Sequence, residues 1–304
     1  MNDLSNNDLS NLDLVLPLRE IIIKINNVDY DHNAHHHAHK ERIVSIRTSA
    51  NFNAKSALPT LILLHGIGSS SASWIGQLSG LTDYKILAWD APGYGLSSQV
   101  TEEHPDASNY ADILRDLLNT LNINKSILIG HSLGALMAAN FAARYPECVS
   151  GLLLLSPAQG YGKAALNVRE EKRLSRLNML EQLGPQAMAQ TGFTRMLGKT
   201  PNIDAIKLIQ YSLARINISG YRQATHLLAD ADILTDLAQY KGTRLIAVGL
   251  EDSITPPEQC RNLANITQTP FSEINHAGHA CYIEQTQQVN QLIMSFVRGI
   301  ISKN

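Results

Sequence analysis

Residues 126–134 read Ser126-Ile127-Leu128-Ile129-Gly130-His131-Ser132-Leu133-Gly134. The four residues before Gly130 form a short apolar strand, and Leu133 to Arg144 is a helix-forming run that ends before Pro146. A strand that turns at once into a helix must turn so sharply that side chains at 130 and 134 would collide with neighbouring backbone, which explains glycine at both. Ser132 then projects from the apex at the helix N-terminus. In this strand–turn–helix setting the G-x-S-x-G pattern reads as a nucleophile elbow. Small residues at Gly134, Ala135, Ala138 and Ala139 let the helix pack closely against the sheet.

Working outward, further apolar strands are predicted at 61–64, 85–89, 151–155, 245–248 and 270–274, with two β-branched runs, Ile21 to Ile25 and Ile43 to Ile46, before them. Between these strands run helical stretches. One is marked by a stripe of Tyr110, Ile113, Leu114, Leu117, Leu118 and Leu121, and another, 283–301, buries Val289, Leu292, Ile293, Phe296 and Val297. Alternating strands and helices imply an α/β fold with a mostly parallel sheet flanked by helices. From 158 to 232 the strands stop and only helical periodicity remains, as in Leu174, Leu177, Met179 and Leu180, then Ile206, Leu208, Ile209, Leu213 and Ile216. This segment is expected to be an all-helical lid inserted into a core made of 19–157 and 233–304.

The 304 residues are 44% apolar and 17% charged with a net charge of −2, the profile of an ordinary globular protein and not of a nucleic-acid-binding surface. No apolar run approaches the roughly 18–20 residues that span a bilayer. The first twenty residues lack the basic n-region of an export signal. Cys148, Cys260 and Cys281 are odd in number and match no CxxC pattern, so neither a disulfide framework nor a cysteine-rich zinc site is expected. A cytoplasmic location fits these features. Residues 1–18, with their repeated Asn-Asp-Leu-Ser phrase, have too little apolar area to offset their ordering entropy and are expected to be disordered. The histidine-rich stretch 31–39 is read as a solvated loop.

A serine hydroxyl is a weak nucleophile until a base takes its proton and an acid orients that base. After the strand 245–248, Gly249 to Pro257 offers Asp252, with Glu251 as the competing carboxylate. A loop at a strand's C-terminal edge is where an open α/β sheet places its site. After the last strand, Asn275 to His279 offers His279, with His276 as rival; Gly278 would let the loop turn back toward Ser132. Spacing leaves both pairs open. The developing oxyanion needs donors. The Leu133 N–H supplies one, and the Ile67 N–H in the loop His65 to Ser71 is assigned as the second, with Gly68 the neighbouring alternative. Asp90-Ala91-Pro92-Gly93-Tyr94-Gly95 reads as a structural turn.

Together these residues resemble the α/β-hydrolase superfamily: the His65-Gly66 loop, Asp90-x-x-Gly93-x-Gly95, the elbow, Gly249-x-x-Asp252 and Ala277-Gly278-His279, all in family order, between about 20 and 301. The resemblance implies Asp252 over Glu251 and His279 over His276. The stretch 221–257, above all Leu228 to Leu234, is similar to 3-oxoadipate enol-lactonases and related bacterial esterases. What this implies is hydrolysis of a small-molecule carboxylic ester or lactone through a Ser132 acyl-enzyme, without metal or organic cofactor, nucleic acid or membrane. C–C bond hydrolysis is the enzymatic alternative, although that branch usually carries Asn where this chain has His131; a perhydrolase and a non-catalytic small-molecule-binding member are the others. Haloalkane dehalogenases and epoxide hydrolases use an Asp nucleophile, against Ser132.

Between 158 and 225 the chain carries ten basic and four acidic side chains. Arg169, Arg173 and Arg176 fall at i, i+4 and i+7, one helix face, and are candidates to gather an anionic substrate that bears a free carboxylate.

Overall fold

The computed structural model describes residues 21–29, 38–53 and 58–302. Its eight strands are β1 (Ile21–Asp29), β2 (Ala38–Thr48), β3 (Thr60–Leu64), β4 (Ile86–Trp89), β5 (Ser126–His131), β6 (Val149–Leu155), β7 (Arg244–Gly249) and β8 (Phe271–Ile274). They form one sheet in the order β1-β2-β4-β3-β5-β6-β7-β8. β1 pairs antiparallel with β2 and β2 with β4, and every other pairing is parallel.

Parallel strands of Leu, Ile and Val need cover on both faces, and the two-residue period of the strands supplies two separate cores. The helices that cover them are α1 (Ile75–Gly80), α2 (Ala107–Thr120), α3 (Leu133–Arg144), α4 (Leu166–Thr191), α5 (Ile203–Ala214), α6 (Ile218–Asp230), α7 (Ile233–Gln239), α8 (Pro257–Ile266), α9 (Cys281–Glu284) and α10 (Thr286–Ile301). Leu61, Leu63, Ile127, Ile129, Leu153 and Leu155 face Trp74, Val289, Ile293 and Val297. Ile62, Leu64, Leu128, Leu152 and Leu154 face the opposite way, onto Tyr110, Leu114, Leu136 and Phe141. Each fully buried Leu or Ile contributes roughly 1.5–3 kcal/mol. The expected α2 stripe is buried from Tyr110 to Leu118. Asp106 caps that helix by accepting from the Ser108 and Asn109 amides, while the Asn109 side chain accepts from the Asp106 amide.

Several expectations change. β1 and β2 run beyond their apolar cores and stay paired from Ile21↔Ile46 to Asp29↔Ala38, because ladder pairing continues through polar residues wherever the backbones stay opposed. The expected disordered segment 1–18 and His32, His35, His36 and His37 lie outside the described residues. The expected C-terminal helix from 283 divides at Gln285 (φ −120°, ψ 51°) into α9 and α10.

Between β6 and β7 there are helices α4 to α7 and no strand. α4 is two helices joined at Gly184 (φ 67°, ψ 170°), a conformation open to glycine and followed by Pro185, which cannot continue the helical ladder. Of the apolar positions that mark this segment in the sequence, Leu180 is buried and Leu174 is solvent-exposed. Leu180, Met188, Leu197, Ile209 and Leu213 pack together with Ile67 and Ala280, residues of the loops that leave β3 and β8. The insertion therefore rests on the C-terminal edge of the sheet.

Candidate active site

At the end of β5 the chain makes its expected turn. Ser132 has φ 52° and ψ −116°, strain of order 1–3 kcal/mol for a residue with a side chain. It is held there by its amide, which donates to the Leu155 carbonyl at 3.0 Å, and by its carbonyl, which accepts from the Ala135 and Ala158 amides at 3.0 and 3.2 Å. A Cβ on Gly134 would stand 2.1 Å from the Leu64 carbonyl oxygen, so backbone meets backbone where α3 crosses β3. A Cβ on Gly299 would meet nothing within 4 Å. Gly134→Ala is therefore expected to destabilise by about 2 kcal/mol or more, whereas Gly299→Ala in α10 should stabilise by up to about 1 kcal/mol through helix propensity. Urea unfolding of the two variants checks this, and equal effects would contradict the close approach.

The structure brings His279 and Asp252 together: Nδ1 of His279 lies 2.9 Å from Oδ2 of Asp252. Both side chains are buried. His276 is instead exposed, and its carbonyl accepts from the Gln285 amide side chain. Glu251 faces away too, accepting from the Lys199 amide at 2.5 Å. Asp252 Oδ1 accepts from the Ile254 and Thr255 amides at 2.8 and 2.9 Å, and Oδ2 accepts from the Thr255 hydroxyl at 2.8 Å. Burial alone would raise this carboxyl; the His279 charge and these hydrogen bonds outweigh it and bring the value down to about 2. Asp252 is thus an anion at neutral pH, placed to accept from Nδ1 of His279.

Ser132, His279, Ile67 and Leu133 line one cavity of about 500 Å³, walled by Met179, Leu183, Met188, Leu213, Tyr221 and Leu228 from the insertion. The Ser132 hydroxyl has no hydrogen bond among the described residues; contacts of this kind commonly tighten only when substrate is bound. As the first residue of α3, Leu133 has no helical acceptor for its amide. The Gly68 amide points to Tyr94 Oη at 3.4 Å, and Ile67 lines the cavity. The three arginines separate. Arg173 binds Asp230 at 2.6 Å and Arg169 approaches the same carboxylate at 3.6 Å, while Arg176 lines the cavity.

A family model described as the alpha/beta hydrolase fold matches residues 59–286. The chain belongs to the α/β-hydrolase family. It is 28% identical over 249 residues to a protein of Stutzerimonas stutzeri (strain A1501) provisionally named carbamate hydrolase RutD, covering 78% of this chain and 90% of that one. It is 28% identical over 262 residues to 3-oxoadipate enol-lactonase 1 of Acinetobacter baylyi, covering 83% and 93%. A malate-bound esterase structure from Thermogutta terrifontis superposes with a TM-score of 0.78 at 24% identity, covering 92% of this chain and 99% of that one, a likeness of fold.

The surroundings of this candidate site are tied together by contacts that the sequence did not give. His65, buried, lies with Nδ1 2.8 Å from the Gly66 carbonyl and takes the Ala91 amide on Nε2 at 3.0 Å, stapling the Ile67 loop to the turn after β4. Asp90 anchors the same region through the Ser71 amide and the Ser45 and Ser71 hydroxyls, at 2.7, 2.8 and 3.0 Å. His131 Nε2 bonds the His279 carbonyl at 2.9 Å. Glu284 accepts from the Gly278 amide at 2.7 Å and the Gly198 amide at 2.8 Å, tying the His279 loop to the insertion. Only the His65-Gly66 and Asp90 motifs carried any sequence signal for these roles.

Proposed function

We propose that the protein hydrolyses a carboxylic ester or lactone through an acyl-enzyme on Ser132. The observation that carries this reading is the pairing of His279 with Asp252, with His279 and the strained Ser132 lining one cavity. His279 Nε2 takes the Ser132 proton as Oγ attacks the carbonyl carbon, and the oxyanion is held by the Ile67 and Leu133 amides. Collapse breaks the C–O bond of the ester, and His279 returns the proton to the leaving alkoxide. Water, deprotonated by the same nitrogen, then attacks the acyl-serine and releases the acid. With a lactone the leaving hydroxyl stays on the acyl group, so a single hydroxy acid departs.

The helical insertion acts as a lid in this reading: Met179, Leu183, Met188 and Leu213 keep water from the cavity and give the substrate its apolar bed. The enol-lactonase and carbamate hydrolase relatives support hydrolysis at an acyl carbon while differing in the leaving group, so the test is a panel. Initial rates on 4-nitrophenyl esters, an aliphatic lactone and an aryl carbamate should show ester or lactone turnover that Ser132→Ala abolishes. Turnover of the carbamate alone would replace the ester reading.

A further inference from the structure

The cavity's charge is one-sided. Among the described residues two arginines, Arg176 and Arg195, line it, and no aspartate or glutamate does. Arg195 is solvent-exposed, whereas Arg176 is half-buried in the wall formed by α4. Its neighbours on that helix face are already committed to Asp230. Arg176 forms no ion pair or hydrogen bond among the described residues. A guanidinium withdrawn from water without an acceptor is costly, and its planar fork matches a carboxylate in two-point contact. Arg176 shares this cavity with Ser132, Ile67 and Leu133.

We infer that Arg176 is the receptor for a free carboxylate on the substrate, so that the preferred substrate is a monoanionic ester or lactone lying with its acid group on Arg176 and its acyl carbon at Ser132. This deepens the hydrolase reading above and rests on it. Met179, Leu183, Met188 and Leu213 would hold the intervening carbon chain. Arg169 and Arg173, occupied by Asp230, serve to hold α4 against the end of α6 and not to touch substrate.

The experiment compares kcat/KM for a series of 4-nitrophenyl monoesters of straight-chain dicarboxylic acids, each against the neutral ester of the same chain length. At the best length the wild type should favour the anion by about 10- to 100-fold, the range of a charged hydrogen-bonded pair. Arg176→Gln should bring that ratio close to one, and Arg169→Gln should keep it. A second readout needs no turnover: titration calorimetry of straight-chain monocarboxylates into wild type and Arg176→Gln should show a comparable loss of affinity. A wild-type ratio near one, a ratio that survives Arg176→Gln, or equal carboxylate binding by both proteins would overturn the inference. No turnover of either ester series, with carboxylate binding still dependent on Arg176, would instead count against the hydrolase reading alone.

Discussion

Ser132→Ala is expected to lower kcat by about 10^6-fold, since in the proposed mechanism Ser132, His279 and Asp252 act as one unit. His279→Ala should cost about the same. Asp252→Asn should cost about 10^4-fold, because an amide at 2.9 Å from Nδ1 can no longer hold hydrogen on that nitrogen and so misorients the lone pair on Nε2. Thr255 sharpens the last case: its hydroxyl already donates to Asp252 Oδ2 at 2.8 Å and lies 3.2 Å from His279 Nδ1. An asparagine there would force that small network to rearrange. Non-additivity is the distinguishing sign. The triple variant should be no worse than Ser132→Ala by more than a small factor, retaining what the Ile67 and Leu133 amides and substrate binding supply. Independent losses that multiply would show that the three residues do not form one catalytic unit, and normal activity in His279→Ala would remove His279 as the base.

The second large effect concerns acid and comes from His131. This imidazole is fully enclosed between His279 and Tyr282, with ring centroids 4.8 and 4.7 Å away. Burial above all, then the His279 charge, lowers it from 6.5 to about 3. In the unfolded chain it protonates near 6.5, so as pH falls below that value the unfolded state gains a proton that the folded state refuses. Stability is therefore lost between about 6.5 and 3, at roughly 1.4 kcal/mol per pH unit. His65, lowered to about 4, behaves likewise. Asp116 and Asp236, both raised to about 6 by burial first, have the opposite sign: they are protonated in the folded state first and gain stability as pH falls. The whole-protein profile thus mixes opposed contributions, and a difference measurement isolates one. Relative to wild type, His131→Asn should gain about 3 kcal/mol between pH 7.5 and 4 in urea unfolding, whatever its offset at neutral pH. A constant difference across that range would mean that His131 titrates normally in the folded protein.

How much of this was readable beforehand varies residue by residue. The elbow was legible because its chemistry is local: two glycines are demanded by backbone contacts within a few residues, and the clash of a Gly134 Cβ with the Leu64 carbonyl is the same demand seen in space. The sheet was legible because Leu, Ile and Val fill strands covered on both faces. The choice between His276 and His279 was not local. It turns on which imidazole reaches Asp252, a residue 27 positions earlier, and spacing says nothing about that. The arginine face of α4 shows the limit most plainly. A helical stripe groups Arg169, Arg173 and Arg176, but Asp230, which separates the first two from the third, lies 57 residues beyond Arg173. Leu174, one of the positions that marked a helical segment there, is exposed, because periodicity marks a face without saying what covers it. His131 and Glu284 act through backbone atoms of the His279 loop, a role that any polar residue type could have filled and that no motif announces.

The central claim is a covalent acyl-enzyme on Ser132, and intact-protein mass spectrometry of the enzyme quenched early in turnover of 4-nitrophenyl acetate tests it most directly. The expected result is a single acetyl adduct, mapped by peptide sequencing to Ser132, formed within the burst of nitrophenol release and absent from Ser132→Ala. Accumulation should be enhanced where deacylation is slowed, so a slow-leaving carbamoyl or phosphonyl ester should trap the same residue stoichiometrically. Turnover that proceeds with Ser132 unlabelled by either reagent, or an adduct that persists at another residue in Ser132→Ala, would contradict the account.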